Sequence, residues 1–420
     1  MKQKIVVILI LLLTLISCKK EFNFFQQENE NGLPNYGNVD VENVFTAEDS
    51  QLQDKQNVVN TIQQYYDKVW EKGDLSGGFL VAKGDKILFE SYRGFAKENN
   101  QVPINKDVPL HIASISKSLT AMAVLKLVEA RKINLHDKVT HYFPKFPYKE
   151  VEVIHLLNHR SGLPKYEYFI EKLGLKPKNK YFTNQEVLDL IIQYKPELAR
   201  NTNTGFMYCN TNYALLALIV EKVTAHPFPL AMQKIVFKPL GMEHTYIFQQ
   251  KDSLRAAQSF YYQGNRLYPT DKLDGIYGDK NCYTTPRDLF KFSKAMYAEN
   301  FLRKSLKDSI FQPYSNERPG VNNYGMGFRM KVFDNGERLI YHNGWWHGSN
   351  SSFSHLLKSK VTIIAIGNRF SSRVYSALAL TGLFEDFLPE KEKLAKVLSD
   401  EKEQPKEISE PKEVSGDVTE

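Results

Sequence analysis

The sequence predicts an α/β chain of the α+β class, in which one antiparallel sheet is assembled from distant segments. Strand patterns occur at residues 77–94 and return at residues 324–368, whereas residues 111–237 are mostly helical in pattern. Strands and helices do not alternate regularly, which disfavours a doubly wound parallel sheet. We therefore expect a helical region inserted between the first and the last strands of one sheet.

The separate elements are predicted from apolar periodicity and turn residues. A helix is expected over residues 58–70, and the next stretch contains two strands joined by Gly-Asp at 84–85. Asp-Asn-Gly at 334–336 is another tight-turn signature between strands. Two more strands follow within residues 350–368. The largely apolar run 375–388 predicts a helix that covers the sheet.

The N-terminus predicts export. Lys2 and Lys4 precede an apolar run over residues 5–16, which is typical of a signal peptide and too short for a membrane span. The stretch "LISC" resembles a lipobox, after which Cys18 becomes the lipidated first residue of a bacterial lipoprotein. An ordinary signal peptide with a chance cysteine is the alternative. We expect a lipoprotein signal peptide at 1–17 and a membrane-anchored protein of the bacterial envelope, on the periplasmic or outer-membrane side.

The composition divides the rest of the chain into three regions. Residues 18–55 are rich in Asn, Gln, Glu and Gly, which predicts a tether. Residues 56–390 are expected to form the folded domain. In residues 391–420, Lys and Glu alternate with Pro and apolar residues are sparse, which predicts a disordered charged tail.

The bulk composition excludes one class of partner. The chain carries 55 Lys and Arg against 48 Asp and Glu, and this small excess forms no dense basic stripe, so nucleic-acid binding is not expected. A hydrophobic content of 42% over 420 residues is ample for a large core. Cys209 and Cys282 would be able to form one disulfide in an oxidising envelope, but two free thiols is the interpretation we favour.

Ser114 and Lys117 form the first candidate catalytic motif. They stand where a turn enters the nearly all-apolar run 119–128, and three residues apart on a helix they share one face. A hydroxyl nucleophile needs such a neighbouring base, and helix N-terminal amides favour a developing negative charge. The alternative is that Ser114 only caps the helix.

The second motif is Tyr208-Cys209-Asn210. A phenol can act as a general base where neighbouring cations stabilise its charged form. The Asn210 amide can accept from an ammonium and donate to a substrate carbonyl. Tyr-x-Asn also occurs elsewhere in this chain, so the motif alone is weak.

The third motif is His342-Asn343-Gly344, at the end of a predicted strand. We expect the glycine to let a substrate backbone approach closely. The following N–H, that of Trp345, is expected to pair with the N–H of Ser114 as an oxyanion hole.

In this order, the three motifs resemble the class C β-lactamase and serine peptidase/esterase family, whose sites run Ser-x-x-Lys, Tyr-x-Asn and Lys/His-x-Gly. Segments such as "VIHLLNHRSGLP" and "HNGWWHGSNSSF" are also similar to that family, over about residues 58–388. The resemblance implies a serine β-lactamase/DD-peptidase-like fold. In that fold, helices flank an antiparallel sheet, and the active site lies between the sheet and a mostly helical subdomain.

The resemblance also implies roles for the motif residues. Ser114 would attack a carbonyl and form an acyl-enzyme, with Lys117 helping to take its proton. Tyr208 would protonate the leaving group and then activate water. Asn210 would orient Lys117 and the substrate, and His342 would bind the substrate or Tyr208. The implied substrate is an amide or ester, such as a D-amino-acid peptide, a peptidoglycan-type peptide or a small ester, and no metal or other cofactor is required.

Three positions depart from the family pattern. His342 stands where true β-lactamases carry a lysine that faces a carboxylate, and a mostly neutral histidine argues against antibiotic hydrolysis as the main role. The loop before Tyr208 lacks the Pro-Gly that often precedes this motif. Lys280 and Asn281 stand where relatives often have glycines. Lys280 either lines the cleft or, as we favour, is an exposed turn residue.

Other readings of the sequence compete with these. His155 and His159 have zinc-helix spacing, but Leu156 replaces the glutamate and no third ligand is evident, so a loop-structure role is favoured. Trp345 and Trp346 suit either substrate stacking or sheet-edge packing. A true β-lactamase and a non-catalytic envelope lipoprotein that keeps the fold for binding are the alternative functions.

Overall fold

The computed structural model describes residues 37–98, 102–262, 266–317 and 320–399. The predicted signal peptide, Cys18, and residues 400–420 of the predicted tail lie outside the described residues.

Ten strands are described: β1 (Gly77–Lys83), β2 (Lys86–Arg93), β3 (Leu110–His111), β4 (Tyr246–Ile247), β5 (Cys282–Thr284), β6 (Asn322–Tyr324), β7 (Arg329–Val332), β8 (Arg338–Trp346), β9 (Ser349–Leu356) and β10 (Val361–Gly367). The described α-helices are α1 (Lys55–Tyr66), α2 (Ser116–Glu129), α3 (Val139–Tyr142), α4 (Val153–Leu157), α5 (Tyr166–Lys172), α6 (Asn184–Tyr194), α7 (Asn210–Thr224), α8 (Phe228–Met232), α9 (Pro286–Ala295), α10 (Lys304–Ile310) and α11 (Leu388–Leu398). Short 3₁₀ segments cover Ala113–Ile115, Gln250–Asp252 and Ser372–Leu383, and π turns cover Asp67–Glu71 and Gln233–Phe237.

The predicted antiparallel sheet is confirmed. In the described residues seven strands lie in the order β2-β1-β10-β9-β8-β7-β6, so β1 pairs with the last strand, and Gly77 lies opposite Gly367. The hairpin predicted at 84–85 joins β1 to β2. Helices α2 to α8 lie between β3 and β4 in the chain, as expected for an inserted helical region.

The central strands β1, β9 and β10 of the sheet are buried on both faces. Side chains alternate along a strand, so Phe79 and Val81 pack with Trp70, while Leu80 and Ala82 face the core around α2 and α7. Every residue of α2 is buried, which makes it the central helix of the helical side. The segment that leads into α2 contains Ser114 and packs against β8 and β9.

One edge of β8 is left open where the site forms. Strand β7 pairs with β8 only as far as Tyr341, which lies opposite Arg329. On the other side β9 pairs along β8 to Trp346. Among the described strands, none therefore covers residues 342–346 on the β7 side, and this stretch contains the third motif.

The helix predicted over 375–388 is wrong in detail. The chain instead forms a 3₁₀ segment to Leu383 and then starts a separate helix, α11, at Leu388. Pro389 lies in the first turn of α11, where its missing N–H would be unpaired in any helix. The proline therefore starts a new helix rather than continuing an old one.

The folded domain extends beyond its predicted boundaries at both ends. The predicted tail begins at 391, but α11 continues to Leu398 because Leu394 is buried and the buried Glu390 pairs with Lys331 at 2.5 Å. The predicted tether extends to 55, but Val39 and Val41 are already buried in the core. These apolar contacts, together with the ion pair at Glu390, are the physical reason that both segments pack on the domain.

None of the helices in the described ranges is long and apolar enough to cross a membrane by itself. Two consecutive helical segments, Asn210–Thr224 and Phe228–Phe237, are long and apolar enough only when they are taken together. The chain bends by 77° between them.

Candidate active site

The structure brings Ser114 and Lys117 into hydrogen-bond contact. Ser114 is half-buried in the 3₁₀ turn before α2, whereas Lys117 is fully buried. Lys117 Nζ donates to Ser114 Oγ at 3.0 Å and to the Asp279 carbonyl at 2.8 Å. The ammonium thus points at the hydroxyl, and a main-chain oxygen fixes its direction.

The segment that supplies this carbonyl is held tightly against the helices. Gly278 has φ +94°, and a Cβ there would lie 2.8 Å from the Ala217 side chain. Thr120 Oγ1 donates to the Gly278 carbonyl at 2.8 Å. Glycine is required at 278 because both the backbone angle and the lack of space exclude a side chain.

Two cations lie close to the Tyr208 ring. Its buried ring has Lys117 Nζ 4.9 Å from the centroid and Arg329 Cζ 4.8 Å from it. In the part of the chain that the structure describes, its hydroxyl forms no hydrogen bond, so the contact with Lys117 is through the ring. Sequence reasoning missed Arg329, because it belongs to none of the three motifs. It reaches Tyr208 only because β7 lies beside β8.

His159 holds the second motif in place. Its Nδ1 accepts from the Cys209 N–H at 3.2 Å and from Asn212 Nδ2 at 3.0 Å, so the ring proton resides on Nε2. Burial, and then the Lys117 ammonium, lowers the pKa of His159 well below its ordinary value. His155 likewise accepts the Glu152 N–H at 3.1 Å. Both histidines serve loop structure, and the described residues contain no cluster of metal-binding side chains.

Asn210 forms no hydrogen bond with Lys117 in the described residues, contrary to its expected role of orienting Lys117. Its Nδ2 donates to Glu167 Oε1 at 2.7 Å, and the same Glu167 side chain is buried, which raises its pKa. The Asp279 carbonyl takes the orienting role instead, because it is already fixed beside α2. Glu167 is a second residue that sequence reasoning missed.

Lys280 is buried, so the favoured interpretation of an exposed turn residue is wrong. Its Nζ donates to the Tyr166 hydroxyl at 2.5 Å and lies 3.4 Å from Asp279 Oδ2. The same ammonium lies 4.5 Å from the centroid of the Trp346 ring. A buried carboxylate, a phenol and an indole thus compensate for the charge that water would otherwise stabilise.

His342 is neutral and is bonded to Tyr324 rather than to Tyr208. Its Nδ1 lies 2.7 Å from the Asn343 carbonyl, which can only accept, so Nδ1 carries the proton and Nε2 accepts from the Tyr324 hydroxyl at 3.2 Å. Burial, with the nearby Arg329 and Lys117, lowers the pKa of His342 well below its ordinary value. Of the two expected partners of His342, the substrate or Tyr208, the described residues show no hydrogen bond to Tyr208.

Gly344 makes room for the nucleophile turn. A Cβ at this position would lie 3.0 Å from the Ser114 nitrogen and would overlap Ile112 O and Ser351 Oγ. Ser351 Oγ in turn donates to the Ile112 carbonyl at 2.7 Å. The Ser114 amide therefore lies against β8 just before Trp345, whose N–H is the second predicted oxyanion donor.

The indole N–H groups of the two tryptophans donate hydrogen bonds within the chain. Trp345 Nε1 donates to the His347 carbonyl at 2.9 Å, and Trp346 Nε1 donates to Asp274 Oδ1 at 2.8 Å. Both are half-buried at the end of β8, which favours the sheet-edge packing alternative.

Cys209 and Cys282 are free and buried, as favoured from the sequence. The Cys209 Sγ–H donates to the Leu163 carbonyl at 3.3 Å. Burial raises the pKa of the Cys209 thiol to about 12, so it is an unreactive packing group.

The model of the family described as Beta-lactamase matches residues 62–383. Penicillin-binding protein 4* of Bacillus subtilis (strain 168) is 29% identical over 342 residues, which cover 78% of this chain and 75% of that protein.

Two solved structures share the fold. A penicillin binding protein from Bacillus halodurans has a TM-score of 0.66 and 24% identity, over 80% of this chain and 100% of that chain. A D-amino acid amidase from Ochrobactrum anthropi SV3, complexed with L-phenylalanine amide, has a TM-score of 0.64 and 22% identity, over 81% and 98%. The predicted fold class is thereby confirmed.

Gly344→Ala is predicted to destabilise the protein by about 1–3 kcal/mol, because the added methyl group overlaps atoms of the nucleophile turn. Urea unfolding gives the free energy directly. The matched control is Gly37→Ala, since no atom lies within 4 Å of a Cβ there. Equal stability of Gly344→Ala and wild type would show that β8 does not press on the turn.

Proposed function

The chain belongs to the beta-lactamase family, and from this premise we propose that it is a serine hydrolase that cleaves an amide or ester through an acyl-enzyme on Ser114. The observation that carries the proposal is the bond from the buried Lys117 ammonium to Ser114 Oγ, at 3.0 Å. Nucleophile and base at this distance form the arrangement that activates a hydroxyl. A binding protein would need neither the contact nor the adjacent phenol.

In the proposed acylation, the Lys117 ammonium first gives up one proton, so that Nζ accepts from the Ser114 hydroxyl instead of donating to it. Ser114 Oγ bonds to the substrate carbonyl carbon while its proton moves to Lys117 Nζ and the carbonyl electrons move to oxygen. The Ser114 N–H and the Trp345 N–H receive that negative charge, each donor contributing ~3 kcal/mol. In the described part of the chain no acceptor is bound to the Ser114 N–H, which leaves it available to the substrate.

Breakdown of the intermediate needs an acid, and deacylation needs a base. Tyr208 gives its proton to the leaving group, and the Lys117 and Arg329 cations then stabilise the phenolate. The phenolate takes the proton of the attacking water, and the Lys117 ammonium returns a proton to Ser114 Oγ. Tyr208 therefore acts first as the acid and then as the base. At the end of the cycle, Ser114, Lys117 and Tyr208 have each regained their starting protonation state.

We place D-amino-acid peptides and amides of the peptidoglycan type first among the substrates, ahead of β-lactams. The neutral His342 lacks the fixed charge that a β-lactam carboxylate would meet at this position. Arg329 forms no ion pair with a carboxylate in the described ranges, so its guanidinium is available to a substrate carboxylate of either class and does not decide this ranking. The structural neighbour that is a D-amino acid amidase supports the same class.

A fluorophosphonate probe tests the proposal, because it phosphonylates an activated serine. We expect wild type to be labelled, with the adduct on the peptide that contains Ser114, and Ser114→Ala to lose all labelling. If both proteins are labelled equally, or neither is labelled, the protein is not a hydrolase with Ser114 as its nucleophile. That result would favour the non-catalytic binding function.

A substrate panel then separates the activities. We expect faster turnover of D-amino-acid amides and D-Ala-D-Ala peptides than of a chromogenic cephalosporin. Rapid cephalosporin hydrolysis by wild type, absent in Ser114→Ala, would instead favour a true β-lactamase.

We also propose that the protein is a lipoprotein of the bacterial envelope, anchored through Cys18, so that the site meets peptidoglycan-derived peptides. The support is the short apolar run and "LISC" in the sequence. Cys18→Ala is expected to move the protein from the membrane fraction to the soluble fraction of the cell. Membrane association of Cys18→Ala equal to that of wild type would contradict the anchor, without bearing on catalysis.

A further inference from the structure

The residue before the nucleophile has an unusual backbone conformation. Ala113 has φ +47°, in the left-handed region that only glycine enters without a steric cost. Because Ala113 directly precedes Ser114, its conformation sets where the Ser114 N–H and Oγ point. Something in the structure must therefore hold Ala113 in this conformation.

The His111 ring provides that restraint. His111 Nδ1 accepts the Ala113 N–H at 3.2 Å, so the ring proton lies on Nε2, which donates to Asn281 Oδ1 at 3.2 Å. Burial lowers the pKa of His111 to about 4, which leaves Nδ1 free to accept at neutral pH.

The ring is itself fixed to rigid backbone. Asn281 Nδ2 donates to the carbonyls of Asp274 and Ile276, both at 2.7 Å. His111 lies on β3 opposite Tyr283 of β5, and the two rings meet edge to face at 5.0 Å. The restraint on Ala113 is therefore anchored at both ends of the imidazole.

The atoms that follow Ala113 are the ones that the reaction uses. Ser114 Oγ meets Lys117 Nζ, and the Ser114 nitrogen lies against Gly344. The neighbouring Ile112 is held as well, since its N–H donates to the Cys282 carbonyl at 3.0 Å. Among the N–H groups of the described residues 112–115, that of Ala113 is the one bonded to a side chain, that of His111.

We propose that His111 is a positioning residue for the nucleophile. Its Nδ1 keeps Ala113 left-handed and so aims Ser114 at Lys117 and at the open edge of β8. The inference rests on the proposed function, because it concerns how fast Ser114 reacts.

Two amide variants separate positioning from structure. In His111→Asn, Oδ1 takes the place of Nδ1 and accepts the N–H two residues ahead, as in an Asx-turn. In His111→Gln, the amide reaches the place of Nε2 and keeps the link to Asn281, but no acceptor remains for Ala113. A purely structural role would favour the Gln variant, whereas a positioning role favours the Asn variant.

The readout is the saturation kinetics of fluorophosphonate labelling in the full-length protein. We expect His111→Gln to lower the maximal labelling rate roughly tenfold, the effect of one lost hydrogen bond, with an unchanged half-saturating probe concentration. His111→Asn should stay within about threefold of wild type. If His111→Gln does not fold, His111→Leu, which also lacks the acceptor, replaces it with the same expectation.

Equal labelling rates of the Gln and Asn variants, or a faster Gln variant, would overturn the inference alone. Failure of wild type to label would overturn both this inference and the proposed function. Urea midpoints of each variant verify that a slow rate is measured on folded protein.

Discussion

The contact between the buried Lys117 ammonium and two oxygens organises this structure. One oxygen is Ser114 Oγ, and the other is the carbonyl of Asp279. A cation removed from water needs such acceptors, since burying it without them is strongly unfavourable. Helix α2 lies wholly inside the core, so the chain must bring both oxygens to it. The close packing at Gly278 and at Gly344 is how the chain does so.

Three neutral histidines support the three motifs. His111 accepts the N–H before Ser114, His159 accepts the N–H after Tyr208, and His342 accepts the Tyr324 hydroxyl. Burial lowers the pKa of each ring, so each keeps an acceptor nitrogen at neutral pH. An imidazole suits this task because one nitrogen can accept while the other donates. Hydrogen bonds to uncharged imidazole rings thus support the site, which also contains a few cations.

The sequence predicts the sheet and the order of the motifs because both depend on local patterns. Alternating strands around tight turns identify β1, β2 and β7 to β10, and Ser-x-x-Lys before an apolar run identifies Ser114 and Lys117. What it does not predict depends on contacts between distant segments. Arg329 meets Tyr208 only through strand order, Glu167 meets Asn210 across two helices, and Lys280 looks exposed until its partners are known.

The most direct test of the central claim is the rate at which a fluorophosphonate labels Ser114 in Lys117→Met. Methionine fills the buried space without a charge or a base, so the protein should fold, with Tyr208 and the oxyanion donors intact. We expect a rate about 100-fold or more below that of wild type, the usual contribution of a positioned base. A rate equal to that of wild type in the folded variant would mean that Lys117 does not activate Ser114.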